Sequence, residues 1–166
     1  MQIPTRRSDK IPRAKSDPFI TRDKYDELLA RRDRLINFSR PKAAIDVKHM
    51  ASMGDFSENA GYQMAKAKLR GINNRVNEIE DLLRRAQIIE NRGASDEVRV
   101  GSSLELEVNG KVKNYQILGS AESDPARGII SHVSPLGKAL LGHHEKEIVL
   151  LELPERTVQY KIIKIF

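Results

Sequence analysis

The sequence predicts an α+β chain: an N-terminal antiparallel coiled-coil hairpin, then a small domain of antiparallel sheet with one short helix. Three observations carry this reading. Apolar residues between Tyr62 and Ala86 recur at spacings of three and four, an Asn-Gly pair stands at 109–110 between two alternating runs, and SPLGKALLG at 134–142 carries helix start and stop signals.

Residues 1–18 hold Pro4, Pro12 and Pro18 with five Lys/Arg and no apolar period, so they read as a disordered basic arm. Order is expected from Phe19. Thr21 suits the N-cap of a first helix with Tyr25, Leu28, Leu29, Leu35 and Ile36 on one face. Pro41 should kink or restart that helix before Ala44, Ile45, Val47 and Met50. The second helix places Tyr62, Ala65, Leu69, Ile72, Val76, Ile79, Leu83 and Ala86 along a coiled-coil seam. With a short connection around Gly54, the two helices form a finger over 19–90 whose second arm, from Asp55 to Glu90, would reach roughly 50 Å.

Beyond NRGASD at 91–96 the pattern changes to short runs at Val98–Val108, Lys111–Leu118, Ile129–Val133, Ile148–Leu153 and Val158–Ile165, the strands of a second domain over 91–166. In the helix between the third and fourth runs, Ser134 is the expected cap, Pro135 the first helical residue and Gly142 the stop.

Composition narrows the chemistry. With no cysteine there is no disulfide and no thiolate metal site, and His49, His132, His143 and His144 lack the spacing of a zinc motif. No run of about 18 apolar residues and no apolar segment behind the basic N-terminus is present, so a cytoplasmic protein is expected, without a membrane span or secretory signal. The net charge of +6 divides as +3 over residues 1–20, +3 over 21–90 and zero over 91–166, so attraction to a polyanion belongs to the N-terminal half.

Within that half, GDFSENAGYQMAKAKLR at 54–70 sets Asp55 and Glu58 ahead of Lys66, Lys68, Arg70 and Arg75, with no further acid until Glu78. Two readings fit the acids. Asp followed three residues later by Glu is a capping-box spacing at a positive helix start. Alternatively, two exposed carboxylates at the end of a probe form half of a Mg²⁺ site, because Mg²⁺ prefers six oxygens and is commonly held by one or two carboxylates together with substrate phosphates. The basic run would then accept an RNA or DNA backbone beside them; otherwise it is a solvated coiled-coil face.

The stretch 54–70 resembles the G-D-x-S-E-N-A-x-Y tip of the bacterial Gre transcript cleavage factors, with support from RRAQII at 84–89 and SPLGKALLG at 134–142. The resemblance covers residues 19–166. It implies a coiled-coil finger that enters the secondary channel of bacterial RNA polymerase and an FKBP-like domain that docks at the channel rim. It further implies that Asp55 and Glu58, supported by Ser57, help the polymerase hold a second Mg²⁺ and activate water to cleave the extruded 3′ segment of nascent RNA in backtracked complexes. On this reading the chain is a monomeric accessory factor, not an enzyme by itself. Gly61 departs from the family, members of which often carry a further acid there, and is the feature that favours a non-cleaving channel binder. Prolyl isomerase activity, suggested by the implied fold, is not expected, because residues 91–166 offer only Tyr115, Tyr160 and Phe166 to line an aromatic pocket.

Overall fold

A computed structural model describes residues 17–53, 60–90, 95–154 and 156–166. The first helix, α1 (Arg22–Arg34), starts where the capping residue requires. Thr21 is extended, and its hydroxyl accepts the Lys24 N–H at 3.2 Å, satisfying one of the amides that a helix start leaves free.

Instead of breaking, α1 runs through a π turn (Leu35–Ser39) into α2 (Arg40–Ser52). Pro41 explains the turn. It has no N–H to offer the Asn37 carbonyl and its ring crowds that group, so the backbone widens until the Arg40 N–H reaches the Leu35 carbonyl. The widened turn inserts one residue into the heptad. Two heptads from buried Leu28 would bring Lys42 to the seam, but the residue found there is Ala43, 1% exposed. The expectation for Ala44 and Ile45 is thereby corrected: Ala44 is exposed and Ile45 is 67% exposed, while Val47 and Met50 remain half-buried.

The second arm, α3 (Ala60–Arg85), carries the predicted seam. Ala65, Val76 and Ile79 are buried, and Tyr62, Leu69, Ile72 and Leu83 are half-buried, as is Ala86 just past the helix end. The 26 residues of this helix span about 39 Å, and it stops at Arg85, five residues short of the expected Glu90. There β2 (Gln87–Ile88) pairs in parallel with β1 (Phe19–Ile20), the Gln87 N–H donating to the Pro18 carbonyl at 2.7 Å and the Ile89 N–H to the Ile20 carbonyl at 2.9 Å. This small sheet ties the two arms at their base. Pro18 and Asp17, the last residues of the expected basic arm, make contacts at this base, and residues 1–16 lie outside the described residues. Beneath the sheet, Ile20, Leu28 and Ile79 form a core with Tyr25, Leu35, Leu82 and Leu83.

The second domain is a five-stranded sheet in the order β5-β4-β3-β7-β6, built from β3 (Ser103–Val108), β4 (Lys111–Leu118), β5 (Ile129–Ser131), β6 (Ile148–Leu153) and β7 (Arg156–Ile165). The β3–β4 hairpin turns on Asn109 and Gly110, with φ of 52° and 73°, the pair of left-handed conformations that suits the twist of a two-residue hairpin. All strand pairs are antiparallel except β4 with β5, which run parallel at one edge. The helix α4 (Pro135–Leu140) is capped by Ser134, whose hydroxyl accepts the Gly137 N–H at 3.0 Å. Gly137 is required by packing, since a Cβ there would run into the Ser131 carbonyl oxygen. Leu140 from α4 then joins Leu104, Leu106, Ile117 and Ile162 of the sheet in a core closed to water.

Candidate functional site

The candidate site is the link between α2 and α3 together with the first turns of α3. Asp55, Ser57 and Glu58 lie outside the described residues, so their geometry enters only through the two helix ends that bracket them. On one side the Met53 N–H bonds to the Met50 carbonyl and the Ser52 hydroxyl donates to the His49 carbonyl at 2.7 Å, closing the last turn of α2. On the other side α3 begins at Ala60, followed by Gly61. The bracketing residues Met53 and Ala60 lie at the end of the hairpin away from the β1–β2 sheet, because both helices run between that sheet and this link.

The four basic residues do not form one stripe. At 3.6 residues per turn, Lys66 and Arg70 lie about 40° apart on one edge of α3, and Lys68 and Arg75 about 20° apart on the opposite edge. Their environments differ too. The Lys68 ammonium pairs with the Asp46 carboxylate of α2 at 3.2 Å, and Arg75 pairs with Glu78 at 3.1 Å. Lys66 places its ammonium 5.0 Å from the centre of the Tyr62 ring, where the π face attracts a cation without neutralising it. Arg70 is exposed. The Lys68 and Arg75 edge thus matches the solvated-face reading, whereas Lys66 and Arg70 keep positive charge turned outward about 9–15 Å along the helix from Ala60.

Asp46 was not anticipated as part of this surface. Its partner is 22 residues away on the facing helix, a separation that intrahelical spacing cannot reveal. Among the described residues no group of three or more His, Asp or Glu could hold a metal ion. Asp55 and Glu58 alone would supply too few oxygens for Mg²⁺, so the donor set fits an ion shared with a partner and does not fit a closed site within this chain.

Comparison with known proteins bears on what such a finger is for. Residues 18–88 match the family described as transcription elongation factor, N-terminal, and residues 93–166 the one described as transcription elongation factor, GreA/GreB, C-terminal. Transcription elongation factor GreA of Thermomicrobium roseum is 39% identical over 148 residues, covering 88% of this chain and 95% of that protein. GreA of Clostridioides difficile is 37% identical over 150 residues, covering 88% and 94%. Among solved structures, GreA factor homolog 1 of Thermus thermophilus aligns at 27% identity over 89% of this chain and 97% of its own, with a TM-score of 0.41.

Proposed function

This chain belongs to the GreA/GreB family of transcription elongation factors, and we propose that it stimulates Mg²⁺-dependent hydrolysis of the RNA 3′ segment in backtracked complexes of bacterial RNA polymerase. On this reading the finger enters the secondary channel and the sheet domain docks at its rim. The chain is an accessory to the polymerase's own hydrolytic centre. The observation that carries the proposal is the sequence Asp55-Phe56-Ser57-Glu58-Asn59-Ala60 leading from α2 into α3, a helix of about 39 Å whose other end meets the base of the finger.

Asp55 and Glu58 would hold the ion jointly with acidic groups of the polymerase and with RNA phosphate. Mg²⁺, when bound, supplies Lewis acidity toward phosphate and water. The chain's own part is to deliver two carboxylates at a fixed distance from a docked domain, with Ser57 supporting them, and to present Lys66 and Arg70 to the phosphates of the extruded strand.

The test is a stalled, end-labelled elongation complex of the matching polymerase. Asparagine caps a helix about as well as aspartate, but it is an uncharged and poorer ligand. Asp55→Asn should therefore lower the cleavage rate by at least the ~10–100-fold that loss of a group supporting a bound metal costs, with polymerase binding retained. Cleavage at the wild-type rate in Asp55→Asn, insensitive to Mg²⁺ concentration, would show that the carboxylate is a cap. A second reading, a channel binder that regulates without cleaving, is favoured by Gly61. It predicts that the wild-type protein binds the complex and leaves the RNA intact.

A further inference from the structure

The two domains exchange carboxylates at the base of the finger. Glu122, from the link between β4 and β5, takes the Thr21 N–H on one oxygen at 2.7 Å and the Thr21 hydroxyl on the other at 2.6 Å. That same hydroxyl caps α1 by accepting the Lys24 N–H, so the start of the finger's first helix is completed by a residue 101 positions away in the other domain. Asp17 reciprocates from the finger side. Its carboxylate accepts the Ser120 N–H at 2.7 Å and the Phe19 N–H at 3.3 Å, and stands 3.8 Å from the His132 ring nitrogen. Between the two carboxylates, Gly119 lies so close to β1 that a Cβ would collide with the Phe19 carbonyl oxygen, and Ala121 packs into the finger's base core.

We propose that Glu122 and Asp17 are positioning residues: this carboxylate clasp fixes the direction in which the finger leaves the sheet domain. The lever arm gives the clasp its importance. A rotation of only about 5° at the base displaces the far end of a 39 Å helix by about 3 Å, and misplacement of a reacting group by about 1 Å can cost on the order of 100-fold in rate. Charge-assisted bonds are suited to this task because they are short and directional, whereas the apolar contacts of Ala121 tolerate sliding. Its consequence for cleavage rests on the function proposed above, while its effect on domain orientation does not.

The chain has no cysteine, so spin labels can be placed selectively at Met64→Cys on α3 and Val112→Cys on β4, both exposed. The distance distribution between them should be narrow in the labelled parent and at least roughly twice as broad with Glu122→Ala, since loss of both bonds leaves the joint to the Asp17 carboxylate and to apolar contacts that tolerate sliding. Thr21→Ser, which keeps the hydroxyl, should leave it narrow. Gly119→Ala tests the same clasp by another route: its φ of −70° suits alanine, so the insult is steric, a Cβ wedged against the Phe19 carbonyl and the Asp17 carboxylate. An equally broad distribution in the parent, or an unchanged one in both Glu122→Ala and Gly119→Ala, would overturn the proposal. In the cleavage assay Glu122→Ala should lower the maximal rate about tenfold and leave the half-saturating concentration within about twofold. A change confined to half-saturation would mean that the clasp serves docking and not aim. Should the parent protein cleave nothing, the proposed function fails, and the distance measurement still decides on the clasp.

Discussion

Ile45 and Ala43 test the register of the finger most directly. A plain heptad puts Ile45 against α3, whereas the π turn puts Ala43 there and leaves Ile45 67% exposed. Full burial of an isoleucine contributes about 1.5–3 kcal/mol, and with only about a third of that surface removed from water the loss on truncation is about 0.5–1 kcal/mol. Alanine is the better helix former by a few tenths of a kcal/mol, so Ile45→Ala should change stability by no more than about 0.5 kcal/mol. Ala43→Leu forces three extra carbons into a closed seam and should cost about 1–3 kcal/mol. Urea unfolding followed by helical circular dichroism reads both variants, provided that the denaturant slope stays constant. An unshifted heptad predicts the reverse, with Ile45→Ala costing about 2–5 kcal/mol as core truncations do. A cost above about 1.5 kcal/mol for Ile45→Ala, beside a near-neutral Ala43→Leu, would refute the π-turn argument.

Two further outcomes follow from the electrostatics. Neutralising Lys66, Lys68, Arg70 and Arg75 together should reduce cleavage of long extruded RNA more than of short RNA and flatten its salt dependence; the pair Lys66 and Arg70 should account for most of it, because Lys68 and Arg75 already face Asp46 and Glu78. Equal effects from the two pairs would show that these surface ion pairs do not restrain the cations. In the sheet domain, Glu147 is held below the usual carboxylate range by the His143 side chain and then by the His144 backbone N–H. A depressed folded-state value stabilises the fold above the unfolded carboxylate value and loses that contribution as pH falls through the folded one, so carbon-detected NMR titration should find the Glu147 midpoint below 4.5. His143→Ala should move the midpoint upward, and an unmoved midpoint would assign the effect to the backbone.

The parts of the fold legible in the sequence were those in which local chemistry and long-range packing agree. Thr21 and Ser134 cap helices because a short hydroxyl side chain suits a helix start in any context. Asn109-Gly110 makes its hairpin because both residues tolerate positive φ. The seam of α3 was readable since one uninterrupted helix keeps its period. Its partner is not, because Pro41 reads as a kink or a restart; the chain instead widens the preceding turn and continues as helix, moving the buried face by one residue. The strands β1 and β2 were invisible for another reason. Two residues cannot display a period, and their pairing depends on residues nearly 70 positions apart.

The candidate site divides along the same line. Asp55 and Glu58 stand out in the sequence as two acids ahead of a basic run, where a capping box and a metal-binding pair fit the same spacing. Lys68 and Arg75 looked equivalent to Lys66 and Arg70 in sequence, and only the facing helix and the next turn distinguish them, through Asp46 and Glu78. The residues that would aim the acids left no signal of their own. Glu122 reads as an ordinary surface carboxylate until the chain brings it to Thr21, 101 residues away. A motif can therefore name the group that would do the chemistry, but whether that group arrives depends on contacts at the opposite end of the lever. Variants at Thr21, Gly119 and Glu122 consequently bear on the tip as directly as variants within it.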